Sequence, residues 1–392
     1  MDEFPQKRKV PPAEQGIPPS KGLIAKARAL VPSLRERADK CEKERRMPDE
    51  TFEEFKREGL LNVSKPKEYG GYEYGWDVLC EISFELARGC GSSAWVYSVL
   101  AEHNQTVGTY PLEAQRDIWG TDTNTFIASG NSPATNMTRV SGGWEITGQL
   151  NYASGCDFAD WHLTGMAVGD KPMKILVPQS ECEVVDNWHV VGLAGTGSKD
   201  IKMEKVFIPD HRTILIGQPG PRFFDHPLFR MPQWSVNPYS LVAVIIGVAQ
   251  GALEVFVDNM KERVSRFGDK ISKFQSIQLR IAESSAEIDA AKRTMLGNLT
   301  ETMEILAAAE ELPIELRARN KRDMAYCPML AARAVERLFY AVGASGLFLS
   351  EPIQRSFRDV NAGMRQIALN WDVNGTTYGQ IALGQDPGFV RW

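Results

Sequence analysis

Histidine is scarce in this chain. There are five, His103, His162, His189, His211 and His226, and none stands at His-x-x-x-His or Glu-x-x-His spacing. A helix-borne metal site needs such pairs on one face, so no metal ligands are expected. The six cysteines, Cys41, Cys80, Cys90, Cys156, Cys182 and Cys327, include no Cys-x-x-Cys pair. That argues against a zinc ribbon, an iron–sulfur cluster or a disulfide scaffold. A Gly-x-Ser-x-Gly elbow and a Gly-x-x-x-x-Gly-Lys-Ser/Thr loop are also missing. The 45 Lys+Arg are outnumbered by 50 Asp+Glu, a net charge of −5. No basic stripe remains for a nucleic-acid partner. The most apolar run, LVAVIIGVA at 241–249, is shorter than the roughly 20 residues that span a bilayer. The opening MDEFPQKRKVPPAEQGIPPS has no apolar core of a signal peptide. A cytoplasmic protein with reduced thiols and no membrane partner is expected.

What is present is a chain of 392 residues, 43% apolar and 24% charged, enough for two or three folded domains. Proline and charge crowd the first stretch, and residues 1–20 read as an arm. Residues 21–120 carry helical spacing: IAKARALVPSLRERADKCEKE, MPDETFEEFKREG with Pro48 at a start and Gly59 at a stop, and two apolar helices broken near Gly89–Gly91. Residues 121–230 change texture to alternating segments with Gly, Asn and Pro between them, and Ser-Gly-Gly at 141–143 signals a hairpin. This block is expected to form an antiparallel β-barrel or sandwich. Residues 231–392 return to helical periodicity, with a long alanine-rich stretch from about 278 to 311 suited to a bundle. The fold class is therefore α+β: helices, a β-domain, then a four-helix bundle. Gly192-Leu-Ala-Gly195-Thr-Gly197 has the wrong glycine order and the wrong following element for a dinucleotide fingerprint, and reads as a turn.

Five motifs in order carry a resemblance. Gly148-Gln-Leu-Asn-Tyr-Ala-Ser-Gly155 is similar to the Gly-Gln-Lys-x-Trp-Ile-Thr-Asn segment of acyl-CoA dehydrogenases, which lies along the flavin ring. The segments 195–209, 266–292, Gly343-Ala-Ser-Gly346 and Arg358-Asp359 resemble later landmarks of the same superfamily. The resemblance implies the same three-part fold. It implies flavin contacts from Ser129, Asn131 and Ser132 in the first β-domain loop, from Tyr152, and from Ser154 at flavin N5. It also implies pyrophosphate contacts across a subunit interface from Arg263 or Arg266, Phe274, Gln275 and Gly343. The arginine of the family stands three residues before the phenylalanine; here neither Arg263 nor Arg266 has that offset from Phe267. Homotetramers are the family's assembly.

Two departures narrow the activity. Nine residues after Arg358, where many dehydrogenases hold a glutamate base, this chain has Ile367, and no acid lies between Asp359 and Asp372. Abstraction of a substrate α-proton needs such an acceptor. Instead, Ala87-Arg-Gly-Cys-Gly-Ser-Ser-Ala-Trp95, Ser154-Gly-Cys-Asp-Phe-Ala-Asp-Trp161, Gly195-Thr-Gly-Ser-Lys-Asp200 and Phe357-Arg-Asp-Val-Asn-Ala362 resemble the flavin-dependent monooxygenase branch. That resemblance implies the oxygenase component of a two-component system. It would use reduced FAD, or FMN, from an NAD(P)H-dependent flavin reductase, together with O2. A C4a-hydroperoxide would oxygenate a small aromatic or heteroaromatic substrate. Where the branch often keeps a histidine, this chain has Gln366, an amide that can hydrogen-bond but not act as acid or base.

Ser154, Gln366 and His103, the best remaining histidine base, are thus the catalytic candidates. Trp95, Phe126, Trp161 and Trp234 would shape an aromatic substrate pocket, although large aromatics are usually core. Arg358 and Asp359 are read as a buried ion pair that fixes their helix. Two rivals stand beside this reading: an acyl-thioester dehydrogenase or oxidase, and a non-catalytic helical scaffold.

Overall fold

The computed structural model describes residues 17–168, 171–215 and 223–388; of residues 131–135, 166–168 and 171–172 it describes the backbone alone. Six helices come first: α1 (Ser20–Ala29), α2 (Val31–Glu44), α3 (Asp49–Arg57), α4 (Trp76–Ala87), α5 (Gly91–Val107) and α6 (Leu112–Trp119). Seven strands follow: β1 (Ile127–Val140), β2 (Gly143–Ala153), β3 (Trp161–Val168), β4 (Lys171–Pro178), β5 (Glu183–Val185), β6 (Lys199–Pro209) and β7 (Thr213–Leu215). The chain ends in α7 (Gln233–Val236), α8 (Tyr239–Glu262), α9 (Gln275–Ala307), α10 (Ile314–Val342), α11 (Pro352–Gly363) and α12 (Trp371–Ala382).

The core is built on α4, α5 and α8, which are buried on nearly every side, α4 and α8 as mainly apolar helices and α5 with buried polar residues as well. A helix without a polar face must be surrounded by other elements. Close packing needs small residues where backbones meet: a Cβ at Gly247 of α8 would lie 2.4 Å from the carbonyl oxygen of Phe84 in α4. The helical stretch Gln233–Glu262 is long and apolar enough to cross a membrane, but 78% of its most apolar window is buried inside the protein. Helices α9 and α10 are amphipathic and lay buried faces against one another and on α8. The residues 1–20 read as an arm lie almost wholly outside the described residues.

The strands form one sheet in the order β5-β6-β2-β1-β3-β4-β7. Ser141 and Gly142 make the β1–β2 turn, with Gly142 at φ +77° as a tight hairpin requires. Every neighbouring pair is antiparallel except one: β1 and β3 run parallel. The all-antiparallel expectation missed this pair because β2 does not hand directly to a neighbour. After β2 the segment 154–160 crosses the start of β1, where Asp160 and Trp161 donate backbone N–H groups to the carbonyl of Phe126. The chain then enters β3 on the far side of β1, in the same direction. That crossing begins at Ser154, the residue expected at flavin N5.

Candidate active site

The end of β2 is wound tightly. Tyr152 sits at φ +65° and Gly155 at φ +74°. A left-handed tyrosine is uncommon and is held here by its surroundings. Its N–H meets Asp200 Oδ1 at 3.4 Å, and Asp200 is also held by Gln149 at 2.7 Å. The twist leaves the Tyr152 ring 60% exposed, edge-on to Trp188 with centroids 6.0 Å apart. Behind this flat aromatic flank lies a chain of three buried hydroxyls. Thr196 Oγ1 donates to the carbonyl of Leu193 at 2.8 Å, Thr196 and Ser198 are 2.7 Å apart, and Ser198 and Ser154 are 2.7 Å apart. Each hydroxyl has one proton. Either oxygen of the Thr196–Ser198 and Ser198–Ser154 pairs can donate; with the Thr196 proton on the Leu193 carbonyl, which also receives the Trp188 and Thr196 N–H groups, Ser198 donates to Thr196 and Ser154 donates to Ser198. Ser154 Oγ is left as an acceptor, without a proton to offer. The turn that presents this relay, Ala194–Thr196, is flanked by Leu193 and Gly197, both left-handed, and continues into β6. It is a turn, as its glycine order indicated.

These groups fit a planar cofactor laid on Tyr152 with an N–H directed at Ser154 Oγ. Ser129 is half-buried and stands opposite Leu163 of β3. Asn131 pairs by its backbone with Asn151 and Gly165; its side chain and that of Ser132 lie outside the described residues.

A second polar cluster lies where α5, β4 and α7–α8 meet. His103 Nδ1 is 2.7 Å from the carbonyl of Ile127, so Nδ1 carries the proton and Nε2 is the acceptor, 3.7 Å from Glu102 Oε1. Burial pushes the imidazole down to about 4, which makes His103 a weak base that stays neutral near pH 7. Burial pushes Glu102 up to about 8, although it accepts a hydrogen bond from Ser240. Lys174 is lowered to about 8 by burial, with Glu102 opposing. Its ammonium donates to Gln233 Oε1 and faces the Trp234 ring at 5.9 Å. Neither Glu102 nor Lys174 was singled out from sequence; the signal was a lone cation in the apolar strand MKILVP and an acid beside His103.

The remaining candidates are dispersed. Trp95 is buried and faces Gly363 at the end of α11, where an added Cβ would come within 3.3 Å of its ring. Phe126 stacks edge-on with Phe52 at 5.4 Å, inside the core. Trp161 lies under Arg212 at 4.8 Å. Only Trp234 of the four aromatics joins the Glu102–Lys174 cluster. Gln366 uses its Oε1 to cap a short turn, accepting from Ala368 N at 2.5 Å, and Ile367 beside it is 70% exposed. Arg263 donates to the carbonyl of Val342 at 2.8 Å, beside Gly343 at φ +70°. Arg266 and Gln275 are exposed and Phe274 is partly so. Among the described residues, no hydrogen bond or ring contact joins 263–275 to 152–154.

One expectation is corrected. Arg358 and Asp359 do not pair with each other. Asp359, buried, accepts the Leu193 N–H at 2.6 Å; Arg358 donates to the Val191 carbonyl at 2.7 Å and pairs with Glu42. Successive helical residues point about 100° apart, so one faces inward and its neighbour outward. Both nonetheless serve the site, since they clamp 191–193, from which the hydroxyl relay hangs.

Residues 23–123 match the N-terminal domain of acyl-CoA dehydrogenase, and residues 239–371 match its C-terminal domain. The oxygenase subunit HsaA of a flavin-dependent monooxygenase from Mycobacterium tuberculosis (strain CDC 1551 / Oshkosh) is 34% identical over 94% of this chain and 97% of its own. The oxygenase component of an FADH2-dependent resorcinol hydroxylase from Rhizobium sp. (strain MTP-10005) is 32% identical over 93% of this chain and 95% of its own. A crystal structure of the HsaA monooxygenase from M. tuberculosis superposes with a TM-score of 0.90 at 33% identity, covering 95% of this chain and all of the other. The chain therefore belongs to the acyl-CoA dehydrogenase superfamily and, within it, to the flavin-dependent monooxygenases.

Proposed function

We propose that the protein binds reduced flavin, FAD rather than FMN, on the Tyr152 flank, and uses O2 to hydroxylate a small aromatic compound. The observation that carries this is the buried hydroxyl chain Ser154–Ser198–Thr196, which ends on the Leu193 carbonyl. A reduced flavin presents an N–H at N5, whereas an oxidised flavin presents a bare nitrogen. Ser154 Oγ, its own proton committed to Ser198, is an acceptor and therefore matches the reduced state. The bound flavin supplies the electrons that activate O2. The chain supplies the aromatic seat and an acceptor at N5. A preference for the reduced cofactor suits delivery by diffusion from a separate NAD(P)H-dependent reductase. FAD is chosen because one relative is named FADH2-dependent. An acyl-thioester dehydrogenase would need a carboxylate where Ile367 stands.

Homotetramer assembly accounts for an apolar skin on the last helices: Tyr340, Leu347, Phe348, Leu349, Val373 and Leu383 are all exposed in the single chain. It would also bring Arg263 or Arg266, Phe274, Gln275 and Gly343 of one subunit to the flavin of the next. A cytoplasmic setting suits six free cysteines. The test is anaerobic mixing with reduced FAD followed by oxygen, with spectra recorded in time. A transient band distinct from oxidised flavin is expected. Immediate return of oxidised flavin, with substrate candidates present or absent, would overturn the reading.

A further inference from the structure

The buried ammonium of Lys174 has no use in the flavin site. It is 9% exposed, and among the described residues it forms no ion pair; its partners are the amide oxygen of Gln233 and the face of Trp234. A buried charge without a counter-charge is costly, so proteins pair such groups or supply a ligand. Glu102 is close enough to influence Lys174, yet its carboxyl is engaged by Ser240 and makes no salt bridge to it. Burial holds Glu102 protonated up to about 8. Near neutral pH the cluster therefore offers an ammonium and a carboxylic O–H, both donors, and carries net positive charge.

Register fixes how this cluster lies relative to the flavin seat. Asn131 of β1 pairs with Gly165 of β3, and Gly165 pairs with Lys174 of β4, so the three positions form one row on one sheet face. Two strand spacings separate β1 from β4, about 10 Å. The middle position has no side chain, and Gly165 is exposed. No side chain therefore stands between positions 131 and 174 along this row. Solvent also reaches the far end, since the Glu102 side chain keeps 14% of its exposure. Trp234 supplies an aromatic wall beside the cation.

We propose that Lys174, seated by Gln233 and Trp234 and assisted by Glu102, anchors the carboxylate of the substrate, so that the preferred substrate is an aromatic acid lying along this row. This rests on the monooxygenase reading and names the substrate class of that same pocket. A single ring with a short acid arm spans the distance: its carboxylate meets two donors at the Lys174 end and its ring carbon faces the flavin. The amide of the same compound would offer no charge to the ammonium.

Binding to the flavin-free protein tests the assignment by titration calorimetry, using 4-hydroxyphenylacetate, 3-hydroxybenzoate and 4-hydroxybenzoate, each beside its neutral carboxamide. The wild-type protein is expected to bind at least one acid ten-fold or more tightly than its amide. Lys174→Met should remove that discrimination, weakening the acid about ten-fold and the amide less than two-fold; Lys174→Arg should restore part of it. Should either variant fail to fold, as judged by its melting curve, the wild-type acid-to-amide ratio still decides. No acid bound better than its amide by the wild-type protein, or a ten-fold preference retained in Lys174→Met, would overturn the inference. A transient oxygen-dependent flavin band in a protein lacking the acid preference would sink this inference alone. Absence of the band would sink the functional reading, whatever the acid preference.

Discussion

Two polar clusters, one just beyond the ends of β2 and β6 and the other between β4 and α5, are built from opposite materials. The cluster at Ser154 is made of hydroxyls, Ser154, Ser198 and Thr196, which do not titrate in the physiological range. The cluster at Lys174 is made of Glu102, His103 and Lys174, all moved by burial towards their neutral forms. The first fixes direction: one terminal carbonyl orders three protons and turns Ser154 into an acceptor. The second fixes charge: burial makes an uncompensated cation expensive until an anion arrives. A cofactor whose protonation must be sensed at one atom calls for the former. A substrate chosen by its ionised group calls for the latter.

The comparison breaks most visibly at Ser154. Ser154→Ala removes the acceptor while Ser198 keeps its bond to Thr196, so hydroxylation coupled to flavin oxidation should fall roughly 100- to 1,000-fold, in line with loss of one preorganised polar group. Its melting temperature should move little, and product per flavin oxidised is the measurement. The next largest effect is on the titratable side. His103 holds its pKa at about 4, while an unfolded histidine binds a proton below about 6.5. Between those values the unfolded state binds more protons, so stability rises with pH across this window and is lost on acidification from 6.5 to 4. The loss should approach roughly 2–3 kcal/mol. His103→Asn, which keeps a donor for the Ile127 carbonyl, should reduce that slope in chemical denaturation at stepped pH and leave the share of His162, which burial also lowers to about 4; an unchanged slope would place the titration elsewhere.

Smaller still is Ser198→Ala. It removes the oxygen that receives the Ser154 proton and frees Ser154 to donate. The ratio of reduced- to oxidised-FAD affinity should fall about ten-fold, some 1.4 kcal/mol, measured by titration in both redox states. The least effect is expected from Gln366→His. Gln366 caps the Ile367–Leu369 turn rather than reaching the relay. The pH profile of the oxygen reaction should therefore stay as it is, and a new ionisation near neutrality would instead place position 366 at the reacting centre.

Much of the flavin side could be read from sequence because its parts are contiguous. The hairpin at 141–143, the crossing segment 154–160 and the turn at 192–197 are each written in a few adjacent residues whose glycines and hydroxyls demand particular backbone shapes. The split between α4 and α5 was legible for the same reason. The substrate end was not. Lys174 and Glu102 meet only because β1, β3 and β4 pair in one register, and that register depends on the parallel β1–β3 pair, which local alternation cannot announce. Likewise Arg358 and Asp359 look like partners when read along the chain, but the turn of the helix sends one to Glu42 and the other to Leu193. Both meetings join residues distant in sequence, which spacing along the chain does not encode.

The most direct test of the relay is the lifetime of the oxygen-dependent transient in stopped-flow absorbance, compared among wild type, Ser154→Ala and Ser154→Thr. An acceptor at N5 predicts a lifetime at least ten-fold shorter in Ser154→Ala and largely restored in Ser154→Thr, which returns an oxygen able to donate to Ser198. Equal lifetimes in wild type and Ser154→Ala would contradict it.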